Sequence, residues 1–215
     1  MDLLTGIFFT LLAAAFLSYL VTLRGKVLYW RIILLYLSLI AVTSLAANYL
    51  RFFSQVKNNL FLFHVYTPAE YVVLCWLYYS IIVNRVVKNM IFFSIPGFIA
   101  LSVFFSIFIQ RFDANDSFVI IIESILIISW SLFFLREVLL LQQETSVIKY
   151  PLFWVSIGML FYFVGDLFVE GLLDYLIKHS PDLAKRVYSF GYIFKYLLFI
   201  LLTTGAWCNY SPKRR

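Results

Sequence analysis

Long apolar runs broken by short polar interruptions repeat along the whole chain, and they predict seven membrane-crossing helices. A transmembrane helix needs about 20 predominantly apolar residues. Seven stretches reach that length: 3–23, 27–50, 60–83, 90–109, 117–141, 150–175 and 187–207. The interruptions are compact, at 24–26, 51–59, 84–89, 110–116, 142–149 and 176–186. The least distinct boundary is the end of the sixth stretch, where Glu170 and Asp174 make the helix polar. The expected fold is an all-α polytopic membrane bundle forming one domain over residues 1–215.

Composition changes the picture only by excluding alternatives. The chain is 63% hydrophobic and 13% charged, against about 45–50% and 25% in soluble domains. A chain this short has no soluble core that hides so much apolar surface, so lipid is the expected solvent. The first stretch lacks a basic leader and a clear cleavage site, and reads as a retained helix. Cys75 and Cys208 both fall inside apolar stretches, which argues against a disulfide framework.

Charge sets an orientation. With the N-terminus outside, ten basic residues face inward: Arg24, Lys26, Arg31, Arg85, Lys88, Arg136, Lys149, Lys213, Arg214 and Arg215. Six then face outward: Arg51, Lys57, Arg111, Lys178, Lys185 and Arg186. The positive-inside rule therefore places the N-terminus outside and the C-terminus in the cytoplasm of a cell inner (plasma) membrane. The formal charge of +6 is explained by this topology and by anionic headgroups, and no nucleic-acid partner is expected. Aromatic residues near the span ends (Tyr29, Trp30, Phe52, Phe53, Tyr78, Tyr79, Tyr150, Trp154 and Trp207) read as an interfacial belt.

Ionisable residues inside the spans are where specific chemistry is expected, because each costs about 2.5–3.5 kcal/mol at a helix centre. Counting depth along each span puts His64, Glu70, Glu123, Asp166, Glu170 and Lys195 in the outer half, with Asn48 capping the outer end of the second span. These seven are the candidate ligand-binding residues. Lys195 is the one deep cation, and a pair with Asp166 or Glu123 is expected at matching depth. Asp166 and Glu170 are four apart and share a helical face. Pro68 removes a backbone hydrogen bond and frees a carbonyl near His64. Gly158 and Gly165, seven apart, offer a face for close helix approach. No catalytic constellation, cofactor motif or metal-ligand spacing is present, so no catalytic residue, cofactor or metal is expected, and the reading leans away from an enzyme.

The runs Phe63-His64-Val65-Tyr66-Thr67-Pro68-Ala69-Glu70-Tyr71, Pro151-Leu152-Phe153-Trp154-Val155-Ser156-Ile157-Gly158 and Phe161-Tyr162-Phe163-Val164-Gly165-Asp166 resemble small seven-helix integral membrane proteins of the Bacteroidota type, a group without a settled activity. The resemblance implies architecture, and a basic residue at the position of Lys195 is not a regular feature of that group. The function expected from the residues is a sensory or regulatory subunit with an outward-facing polar pocket. Its loops are too short for a signalling domain, so it would act through a cytoplasmic-side partner. The alternatives are a proton or solute transporter and, further off, an intramembrane lipid-modifying enzyme or a retinal protein using Lys195.

Overall fold

A computed structural model of the chain describes residues 3–22, 27–53, 59–109, 116–141 and 146–210. Its elements are α1 (Leu3–Thr22), α2 (Leu28–Phe53), α3 (Phe61–Ile81), α4 (Arg85–Phe108), α5 (Ser117–Leu141), a short 3-10 turn (Val147–Lys149), α6 (Pro151–His179) and α7 (Pro181–Tyr210). Six of the seven α-helices are long and apolar enough to cross a membrane. The exception is α3. It has 21 residues, but His64, Pro68, Glu70 and four tyrosines lower its apolarity. It buries His64, Thr67 and Glu70 among its neighbours α2, α4 and α5.

Successive helices alternate in direction along the chain, and their contacts close from α1 round to α7. Tyr71 on α3 meets Ser94 and Phe98 on α4, and His64 meets Ser106, so these two helices are antiparallel. α3 and α5 run parallel, with His64 beside Asp116 and Tyr78 beside Ser131. α5 and α6 oppose each other through Ser117–Glu170 and Phe134–Tyr150. α7 packs against α1, whose Leu4 carbonyl accepts the Tyr196 hydroxyl at 2.7 Å. We call the end where α1, α3, α5 and α7 begin the near end, and the opposite one the far end.

In lipid, helix association draws on close packing more than on a hydrophobic driving force. The α6–α7 seam shows this at the glycines picked out by their spacing. A Cβ on Gly158 would sit 3.2 Å from the Leu201 Cβ, and one on Gly165 would overlap the Phe194 ring. At the far end the core is filled by Tyr19, Trp30, Leu37, Tyr78, Trp130 and Leu202, each at most 4% exposed.

Several boundaries differ from the sequence reading. α4 begins at Arg85, within the interruption assigned to 84–89, because the Asn84 side chain accepts hydrogen bonds from the Val86 and Val87 amides. The Glu137 carboxylate on α5 accepts from the Val83 and Asn84 amides at 2.8 and 2.9 Å, which secures this short turn. The interruption assigned to 176–186 is helical except at Ser180. Leu173, Leu176 and Ala184, with Val187 against them, carry an apolar contact past the charged positions and keep both helices wound. At about 1.5 Å per residue, α6 with 29 residues and α7 with 30 are each longer than the roughly 30 Å hydrocarbon core. Two supposed belt aromatics belong to the core: Trp30 packs against Tyr19 and Tyr29, and Tyr78 is 2.7 Å from the Ser131 hydroxyl. Of the residues used for orientation, Arg24, Lys26, Lys57, Arg111 and 213–215 lie outside the described residues.

Candidate functional site

A cavity of about 180 Å³ opens among α1, α2, α3, α5, α6 and α7 in the near half of the bundle. Its polar wall is made by Glu70 from α3, Glu123 from α5, Asp166 and Glu170 from α6, and Lys195 from α7. Five of the seven candidate residues thus converge. They do so because each sits on the inward face of its helix at a similar height, and alternating directions bring early positions on odd helices beside late positions on even ones.

Each carboxyl has a distinct setting. Glu70 is 3% exposed and accepts the Tyr36 hydroxyl at 3.0 Å, and Tyr66, one turn earlier on α3, reaches the same carboxyl. Tyr162, one turn before Asp166 on α6, reaches the Asp166 carboxyl. Glu170 accepts the Ser117 hydroxyl at 3.0 Å. Glu123 is 2% exposed, and its Oε1 has no hydrogen-bond partner among the described residues. Lys195 faces Asp166, but among the described residues it makes no contact ion pair. Its ammonium lies 5.6 Å from the centre of the Tyr192 ring. The direct pair expected at matching depth is therefore replaced by an electrostatic juxtaposition without a contact ion pair, beside an aromatic face.

Two candidates lie elsewhere. Asn48 does not cap α2, which continues to Phe53, and its amide donates to the Ser44 carbonyl one turn back at 2.8 Å. His64 points away from the cavity into a cluster between α3, α4 and α5, where Nδ1 is 2.9 Å from the Ser106 hydroxyl and 3.5 Å from Asp116 Oδ1. α3 runs as one helix through Pro68.

Asp116 precedes the span of α5, is 1% exposed, and has no hydrogen-bond partner on either carboxyl oxygen among the described residues. Burial, reinforced by the nearby Glu170 carboxyl, pushes the Asp116 carboxyl up to about 7. The unfolded chain ionises the same group near 3.9. Between those values the folded form holds a proton that the unfolded form has lost, so stability present in acid is lost as pH rises from about 4 to about 7. The apparent melting temperature in detergent is expected to fall across that window. Asp116→Asn is expected to flatten this part of the profile, and an unchanged slope in the variant would show that another group is responsible.

The tyrosines are what the sequence reading missed. Tyr36, Tyr66, Tyr162 and Tyr188 serve the cavity or its acids. A signal for two of them was present: Tyr66–Glu70 and Tyr162–Asp166 repeat one spacing of four residues, which sets a phenol beside a carboxyl on one face. Tyr36 had no such local mark, because its partner lies on another helix. No protein-family model, curated protein or solved structure matches the chain.

Proposed function

We propose that this multi-pass membrane protein is a sensory or regulatory subunit of the small seven-helix type, in which the near-half cavity receives a small ligand and changes how the helices pack. The observation that carries the reading is the cavity of about 180 Å³ walled by ionisable residues from four helices. A site shared by several helices links its occupancy to their relative positions, as a ligand-driven population shift requires. The far half supports reception over conduction, since its interior is occupied by large buried side chains. In this reading α3 also crosses the bilayer, the near end faces outward, the C-terminus is cytoplasmic and the membrane is the inner (plasma) membrane. No connection between the helices exceeds nine residues, so the readout passes to a cytoplasmic-side partner.

The test is a proteoliposome assay with a trapped pH dye, combined with labelling at the cavity. Ser44→Cys, on a background with Cys75 and Cys208 replaced by alanine, is expected to react with a membrane-impermeant thiol reagent from the outside only. An imposed pH gradient is expected to give a flat dye trace. Proton flux that is lost in Glu70→Gln would overturn the sensory reading in favour of a transporter.

A further inference from the structure

Four carboxyl side chains and one ammonium line the cavity. An ionisable group at this depth needs a partner, because neither lipid nor a dry interior solvates it. Protein groups supply one for three of the acids: Tyr36 and Tyr66 for Glu70, Tyr162 and the facing Lys195 for Asp166, and Ser117 for Glu170. Glu123 is different. Its side chain is almost completely buried, it lines the open space, and Oε1 accepts from no described residue. A donor arriving in the cavity would complete it, and a charged donor would also offset the excess of acids over bases in the wall.

Size and surface narrow the donor. A cavity of about 150 Å³ accepts benzene, so about 180 Å³ suits a molecule of roughly that bulk carrying one further polar group. Besides its acids, the wall presents the rings of Phe8, Phe63, Tyr66, Tyr162, Tyr188 and Phe199. Aromatic faces attract organic cations and cover apolar carbon, whereas a bare metal cation would prefer a cage of oxygens.

Resting on the receptor reading above, we propose that the cavity binds a small organic ammonium ion, with the Glu123 carboxylate accepting the ammonium N–H and the aromatic wall enclosing the carbon part. Lys195 sets the polarity of recognition: its charge, across the cavity beside Asp166, favours the orientation that keeps the ligand nitrogen toward α5.

The experiment compares three probes of similar size on the purified full chain in nanodiscs: benzylamine, benzyl alcohol and benzoate, each read by calorimetry. Benzylamine is expected to bind, benzyl alcohol to bind at least about tenfold more weakly, and benzoate not at all. Glu123→Gln, which keeps the shape of the side chain, is expected to cost benzylamine about tenfold to a hundredfold in affinity. Its unchanged melting temperature would show that the loss is not misfolding. Benzoate or benzyl alcohol binding as tightly as benzylamine, or benzylamine binding equally to Glu123→Gln, would overturn the ammonium assignment and leave the cavity a ligand site of another class. Failure of all three probes, together with no labelling of the Ser44→Cys protein, would overturn the receptor reading itself. Sodium chloride displacing benzylamine at equal concentration would reassign Glu123 to an inorganic cation.

Discussion

Replacing Gly165 by alanine destabilises the bundle by about 1–3 kcal/mol, the usual cost of forcing extra carbon into a packed contact. The added Cβ lands within the Phe194 ring, which cannot yield without a change of rotamer or separation of α6 from α7. In a membrane that separation is costly, because packing itself holds the helices together. The effect extends to the site, since Gly165 precedes Asp166 and Phe194 precedes Lys195, so the same contact sets how far apart those two charges stand. The check is an apparent melting temperature in detergent for Gly165→Ala, Phe194→Ala and the double variant. The double variant is expected to recover much of the loss. Gly97→Ala is the control: nothing lies within 4 Å of its Cβ, so it is expected to be neutral or slightly stabilising. An equal loss in both glycine variants would refute the close-contact account.

Removing the cavity's cation has the second large effect. Lys195→Met removes the cation that faces Asp166 and leaves this carboxyl beside the Tyr162 hydroxyl and the other acids of the cavity wall. Breaking a buried contact pair costs roughly 3–5 kcal/mol. Here the partners face each other without contact, so the loss should fall below that range while still lowering the yield of folded protein. Asp166→Asn in the same chain is expected to restore much of it by removing the charge left behind. The measurement is the fraction of monodisperse protein after solubilisation, compared among both single variants and the pair. If Lys195→Met folds as well as the parent and Asp166→Asn adds nothing, the two groups are not energetically coupled.

The helices and the shared depth of Glu70, Glu123, Asp166, Glu170 and Lys195 were legible in the sequence because both follow from one-dimensional quantities: apolar run length and position along a run. What stayed hidden depends on neighbours. Asn48 looked like a cap because it stands near the end of an apolar run, yet the helix outlasts that run and the side chain turns back to Ser44. His64 shares its helix with Glu70, but six residues leave it on another face, toward Ser106 and Asp116. The burial of Trp30 and Tyr78 reflects which helices surround α2 and α3, and no local pattern records that. The short link at Ser180 was concealed for another reason: charged residues suggest a loop, although a helical hairpin accommodates them on its solvated side while leucines hold the inner face.

That hairpin has a practical consequence for imaging. Six of the described helices are long and apolar enough to cross a membrane, and such helices give an electron microscope little mass outside a lipid belt by which to align particles. α6 and α7 extend past the hydrocarbon thickness and are joined by Ser180 alone, so a rigid helical protein spliced there in phase with both helices would inherit their direction. The junction between α6 and α7 is accordingly the place to attach a fiducial, because it couples an external marker to the two helices that carry Asp166 and Lys195.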